Sequence, residues 1–349
     1  MRKTKVAFLY SEVAGYFMAC ARELAKSAEV LIVRWPVNKE APFRLTEEEG
    51  IRIVDKSSLD PAQLVQLVRD FDPDILVCSG WMDKTYLEIS RKFRKKIPVV
   101  LTLDNHWTGS LRQRIARLYS PFFLKKIFTH AWVPGQPQRQ FAKKLGFDRI
   151  LTDFYCCDAD FFNRIFQSTF SPKKSNSPKR FLYVGRYVRH KGIFEMFQAF
   201  IDLQNEMPNE WELWCLGTGD QWDKRIEHPK IKHFGFVQPG DLEPYIAQTT
   251  AYVLPSQFEP WGVSVQEFAI CGFPLILSDA VGSREKFLVN NGFVFKNGST
   301  EDLKSVMKKM ILLDRSELIR MSEESHQLGT HLTPAMWSDN LLTLLPSTR

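Results

Sequence analysis

The stretch Tyr183-Val-Gly-Arg-Tyr-Val-Arg-His-Lys-Gly192 ends a short apolar run, turns at Gly185, and leads through Lys191-Gly192 into an amphipathic segment. A strand that passes through a glycine turn into a helix is the repeating unit of a parallel α/β sheet. The same alternation extends in both directions. Upstream, residues 5–10, 30–35, 51–54, 75–79, 99–102, 131–133 and 150–154 read as strands, with helical spacing over 15–27, 61–71 and 136–145. Downstream, 181–184, 211–216, 231–234, 251–254, 275–278 and 293–295 read as strands, with helices at 193–204 and 264–271 and a last one at 334–345. The segment 167–179 breaks the pattern. Its core, Ser-Pro-Lys-Lys-Ser-Asn-Ser-Pro (171–178), is polar and aperiodic and reads as an exposed linker. The fold expected is therefore α/β, with two doubly wound domains in series. Such sheets bind ligands beyond the carboxyl ends of their strands, so two facing sheets would frame a cleft.

Composition agrees. At about 150 residues per domain, 349 residues make two domains. With 44% hydrophobic and 25% charged residues the chain is globular rather than disordered. No apolar run reaches the roughly 20 residues of a membrane span. The basic N-terminus precedes only a few apolar residues before Ser11-Glu12, which suits a first strand and not a signal peptide. None of the six cysteines forms a C-x-x-C pair, as expected in a reducing compartment. Cys156-Cys157 reads as a buried strand end rather than a redox pair.

The net charge of +7 is uneven: residues 1–165 carry +8 and residues 166–349 carry −1. Two basic clusters contribute, 91–96 and 112–126, and the second is interleaved with Leu118, Tyr119, Phe122, Phe123 and Leu124. That mixture suits an anionic membrane surface. It equally suits a solvated helix face whose apolar side lies in the core. No nucleic-acid-binding motif accompanies it, so no nucleic-acid partner is expected.

Phosphate-binding signatures of other classes are missing or broken. There is no P-loop, and Gly217-Thr-Gly219-Asp220 lacks the last glycine of a dinucleotide fingerprint, so it reads as a tight turn. Asp72-Pro-Asp74 and Asp158-Ala-Asp160 are D-x-D strings of the kind that can hold a metal beside a diphosphate. Both fit loop and capping roles better, and no metal is expected. Two other segments carry more chemistry. Arg186 and Lys191 stand at the carboxyl end of a strand beside a helix start, where two cations would neutralise a diphosphate. In the segment 254–274, Glu259 follows a strand, and Gly262 allows close backbone approach. Val263 and Ser264 open a helix with free N–H groups, and Glu267 lies one turn in. Two carboxylates flanking an anion-binding helix start match a ligand with hydroxyls at both ends and phosphates between, the layout of a nucleoside-diphosphate sugar.

These residues resemble the donor domain of the retaining glycosyltransferases of family 4, which have the GT-B architecture. Gly185-Arg186 with Lys191-Gly192 matches that family's G-R-x4-K-G, and Glu259 to Glu267 its E-x7-E. Cys271-Gly-Phe-Pro274, Asp279, Gly282, Glu285 and Asn291-Gly292 follow in the same order. The first half is similar to the acceptor domain more loosely, through Gly15, Asp158 with Phe162, and Trp337 near the start of the terminal helix. The resemblance implies a GT-B fold whose last helix crosses back to the first domain. The domains would then be 1–166 with 334–349 on the acceptor side, a linker at 167–179, and a donor domain at 180–333.

It also implies roles. Arg186 and Lys191 would bind the diphosphate and stabilise its departure, and Glu267 would bind ribose. Glu259 would meet the sugar hydroxyls, with the backbone of Gly262 and Val263. Gly15 would open the first loop to phosphate and acceptor. His106, or Asp104 in the same loop, would position sugar or acceptor, with His130 a weaker match. The implied activity is retaining, metal-independent, hexosyltransferase-like transfer from a UDP- or GDP-sugar to a glycan or lipid-linked glycan. It needs no cofactor. Bacterial cell-surface polysaccharide or glycolipid synthesis is the expected setting, in the cytoplasm or peripherally on the inner face of the plasma membrane. The alternatives are a GT-B nucleotide-sugar epimerase and a non-catalytic nucleotide-sugar-binding subunit.

Overall fold

The computed structural model describes residues 2–36, 48–176 and 178–346. Runs such as Val6–Leu9 and 275–277 are apolar on both faces and fully buried, the mark of strands covered by helices on either side. In the first unit these strands are β1 (Thr4–Tyr10), β2 (Ala28–Arg34), β3 (Ile51–Asp55), β4 (Ile75–Ser79), β5 (Val99–Thr102), β6 (His130–Trp132) and β7 (Ile150–Leu151). They form one sheet in the order β3-β2-β1-β4-β5-β6-β7, with every pairing parallel. The second unit holds β8 (Arg180–Val184), β9 (Glu212–Leu216), β10 (Ile231–His233), β11 (Ala251–Leu254), β12 (Leu275–Ser278) and β13 (Gly292–Phe295). Their order is β10-β9-β8-β11-β12-β13, again all parallel. Strand order reverses between β1 and β4 in one sheet and between β8 and β11 in the other. Those are the switch points where loops diverge and leave room for a ligand.

The units divide at Asp158 and at Leu332: Met1–Asp158 with Leu332–Arg349, and Ala159–His331. This corrects the expected linker. Residues 159–175 form a helix, Ala159–Ser175, and it belongs to the second unit. Phe162, Ile165 and Thr169 are buried along one face, and Phe166 stacks on the His326 ring at 3.6 Å. The lysines that made 171–178 look like a linker are used in packing. Lys173 lies 3.9 Å from the Phe273 ring centre, and Lys174 pairs with Glu323 at 2.6 Å. Pro172 lies inside this helix, where its missing N–H gives up one hydrogen bond without ending the element.

The strand expected at 150–154 stops at Leu151, because Asp153 takes a left-handed conformation (φ 62°). Cys156 and Cys157 therefore lie in a buried loop rather than at a strand end. The terminal helix, Pro334–Leu342, belongs to the first unit. Trp337 anchors it at 1% exposure, packing against Trp132 (4.7 Å) and Phe8 and Phe17 (6.1 Å each). Its indole N–H donates to the carbonyl of Phe154 at 2.7 Å.

Candidate functional site

In the second unit the expected residues gather at the switch point between β8 and β11. The chain leaves β8 at Val184, and the Tyr183 hydroxyl donates to the Arg186 carbonyl at 2.9 Å, so the Arg186 backbone is fixed while its side chain stays exposed. A single 3-10 turn, Arg189–Lys191, then leads to Gly192. Gly192 has φ 68°, and a Cβ there would lie 2.1 Å from the carbonyl oxygen of Pro255. Only glycine lets the loop after β8 press against the loop after β11. The N–H of Gln257 completes the join, donating to the His190 carbonyl at 2.8 Å.

That approach sets the central contact. The Lys191 ammonium donates to Glu259 Oε2, with both side chains mostly buried (16% and 13% exposed). The Ser256 hydroxyl donates to the same oxygen at 3.1 Å. Two residues 68 positions apart thus form one charged unit. Burial, and after it the nearby cations Lys191 and Arg186, hold the His190 imidazole below its usual pKa.

Beyond Glu259 the loop is clamped from the β12 side, where Gly282 N–H donates to the Glu259 carbonyl at 3.0 Å and Ser283 N–H to the Trp261 carbonyl at 3.0 Å. Gly262, at φ 88°, starts the helix Val263–Ile270, which has no side-chain cap. The first N–H groups of an uncapped helix point outward with the positive end of its dipole, and an anion suits them. Ser264 accepts a hydrogen bond from the buried Tyr252 hydroxyl at 2.9 Å, and Tyr252 in turn stacks on Phe268 at 4.2 Å. Glu267 lies one turn further along, half-buried.

In the first unit, Gly15 is the first residue of the helix Gly15–Ala25, beyond β1. A Cβ on it would meet nothing within 4 Å, so neither packing nor backbone conformation requires glycine there. Asp104 and His106 lie in the loop after β5. Asp104 accepts a hydrogen bond from the Tyr155 hydroxyl at 3.3 Å. The Tyr155 ring meets Tyr16 edge-on at 5.7 Å, which links the loop after β5 to the start of the first helix. Burial, with Tyr16 and Asp104 adding negative charge, pushes the Tyr155 phenol well above its usual pKa. His106 contributes its carbonyl to Gln113 at 2.7 Å. His130 stands at the opening residue of β6, the opposite end of the sheet from the switch-point loops.

Tyr16, Tyr155, Tyr252 and Ser256 escaped the sequence reading. Ser256 lies inside a stretch already singled out, and Tyr16 follows Gly15 directly. Tyr155 carried no signal, because its partner is 51 residues away. The D-x-D strings serve their loops. Asp72 ends the helix Pro61–Phe71 in a left-handed conformation, the Asp74 carboxylate accepts the Lys5 N–H at 2.8 Å, and Asp158 pairs with Arg22 at 3.1 Å.

A glycogen synthase of Mycobacterium tuberculosis is 32% identical over 115 residues, 31% of this chain and 28% of that protein. The chain thus covers less than a third of that curated relative. The crystal structure of a glycosyltransferase from Rickettsia africae superposes with a TM-score of 0.74 at 11% identity, covering all of both chains. Anabaena HepE in complex with UDP and glucose superposes with a TM-score of 0.71 at 15% identity, covering 97% of this chain and 98% of that one. The fold is that of GT-B glycosyltransferase structures, and residues 165–328, nearly the whole second unit, match the family described as glycosyl transferases group 1.

Proposed function

We propose that this protein transfers a sugar from a nucleoside-diphosphate sugar to an acceptor hydroxyl, with retention at the anomeric carbon and without a metal. The observation that carries the reading is the Lys191–Glu259 pair beside the uncapped start of helix Val263–Ile270. The slow event is rupture of the bond between the anomeric carbon and the phosphate oxygen. Positive charge then develops on the sugar and negative charge on the diphosphate. Lys191, Arg186 and the N–H groups of Val263 and Ser264 stabilise the leaving diphosphate, the task a metal performs elsewhere. Glu259 accepts from sugar hydroxyls and also keeps Lys191 in place, and Glu267 accepts from the ribose hydroxyls. Gly262 leaves room for the sugar against its backbone. In the first unit, Gly15 keeps the start of its helix open to phosphate, and Asp104 and His106 position the acceptor.

A UDP-sugar is the donor we favour, since HepE was crystallised with UDP and glucose. For the acceptor we propose a glycan or lipid-linked glycan destined for bacterial cell-surface polysaccharide or glycolipid, met on the cytoplasmic side. Incubation with a panel of UDP- and GDP-sugars, following free nucleoside diphosphate and the fate of the sugar, tests this. Slow donor hydrolysis without acceptor, and an α-linked product from an α-linked donor, are expected. An altered sugar still attached to its nucleotide would show an epimerase. Binding without turnover would show a nucleotide-sugar-binding subunit.

A further inference from the structure

The helix Leu111–Phe123 in the first unit is turned inside out. At about 100° per residue, Leu111, Ile115, Leu118 and Phe122 fall within an arc of about 60°. A stripe of that kind ordinarily faces a core. Here Leu111, Leu118 and Phe122 are 74%, 68% and 71% exposed, and Ile115 and Tyr119 beside them are exposed too. The helix's one buried residue is Ser120, on the opposite side, whose hydroxyl donates to the Leu145 carbonyl at 2.6 Å. The protein therefore holds this helix by the side that carries Gln113, Ala116 and Ser120 and presents the apolar stripe outward.

Cations border the stripe. Arg112 and Arg114 fall on its two flanks, Arg117 lies behind Arg114, and Lys125 and Lys126 follow the helix end; all five are exposed. The other basic cluster meets this one, since the Arg94 guanidinium donates to the Lys125 carbonyl at 3.2 Å. Asp148, 3.5 Å from Lys125, pairs with this edge. Scattered apolar residues on a surface need no explanation, but a continuous stripe between cations does.

We infer that this helix is a docking face for an anionic lipid bilayer, lying in the plane of the interface with Leu111, Ile115, Leu118 and Phe122 inserted and the arginines among the headgroups. A second copy of the chain fits poorly, because a two-fold contact would set these cations against their own copies. The loop bearing Asp104 and His106 runs directly into the helix. Gln113 donates to the His106 carbonyl at 2.7 Å, so a docked helix would hold that loop close to the lipid surface.

Vesicle binding needs no sugar nucleotide, so this test succeeds or fails independently of the transferase reading. The full chain should co-sediment with vesicles of phosphatidylcholine and phosphatidylglycerol at low salt, and far less with phosphatidylcholine alone. Raising the salt should weaken binding. The double variant Leu118→Ser with Phe122→Ser should lower the partition coefficient at least tenfold at unchanged charge. The triple variant Arg112→Gln, Arg117→Gln and Lys126→Gln should lower it about a hundredfold. Both variants alter exposed side chains, and their melting temperatures should match the parent. Indifference of the parent to anionic vesicles at low salt would overturn the inference. So would vesicle binding that neither variant reduces, or a dimer that the serine variant abolishes in a protein that ignores vesicles.

Discussion

Replacing Lys191 with alanine removes the cation that the proposed reaction sets against the leaving diphosphate, and leaves the mostly buried Glu259 with the Ser256 hydroxyl. We expect turnover to fall on the order of a hundredfold to a thousandfold, as when one donor to a developing anion is lost. Circular dichroism should remain native, and release of nucleoside diphosphate measures the effect. Parental turnover would place the diphosphate elsewhere. Gly192→Ala tests the backbone that delivers this lysine. A left-handed alanine costs about 1–2 kcal/mol, and its Cβ would also strike the Pro255 carbonyl. Urea unfolding should show a loss of at least that size, and the part of it due to displaced loops should appear as lost activity. At this scale the sequence was readable where chemistry-bearing side chains stand at fixed short spacings, as in Arg186, Lys191, Glu259 and Glu267. It was silent about Tyr155 and Tyr252. Their value lies in a partner that another segment supplies, and no local pattern marks it.

Among the elements, the short terminal helix shows how packing exceeds periodicity. Its spacing predicted a helix, but the partner is fixed by one side chain, Trp337, wedged among Phe8, Phe17 and Trp132. Trp337→Ala should destabilise the first unit by about 3–5 kcal/mol, since it opens a large cavity and leaves the Phe154 carbonyl without its donor. Thermal unfolding followed by near-ultraviolet circular dichroism would show it, and an unchanged melting curve would reject it. The helix Ala159–Ser175 is the contrary case. Two prolines and a run of lysines and serines mimic a linker, yet the same lysines lie over Phe273 and Phe170. Long side chains carry charge at one end and a packing stem along their length, so composition alone misplaced the boundary. The strands fared better because a run apolar on both faces is read the same way wherever it lies in the chain.

For the molecule as a whole, two responses follow. Turnover should survive EDTA, because in the proposed reaction Lys191 and Arg186 would take the place of a metal; loss that Mn²⁺ or Mg²⁺ restores would refute that. Stability should fall on mild acidification. Burial is the main cause that lowers the pKa values of His130, His190 and His233 below the usual one. Between those lowered values and about 6.5, the unfolded chain binds protons that the native one refuses, so stability rises with pH. The melting temperature should drop between pH 7 and pH 5.5, and glutamine at the three positions should flatten that slope. A flat profile in the parent protein would contradict it.

The charge division is also a property of the whole. Redrawn at the observed boundaries, the first unit still carries +8 and the second −1. The order of residues alone determined the two parallel sheets, the glycine turns after β8 and β11, and the acidic and basic groups placed there, because strand burial and loop chemistry are local properties of sequence. Tertiary structure decided the rest. It joined Lys191 to Glu259 across 68 residues, brought Tyr155 to Asp104, and turned the apolar stripe of Leu111–Phe123 outward. Periodicity specifies that a helix has an apolar side, but which side the protein covers depends on what the rest of the chain packs beneath it, here the Leu145 carbonyl under Ser120.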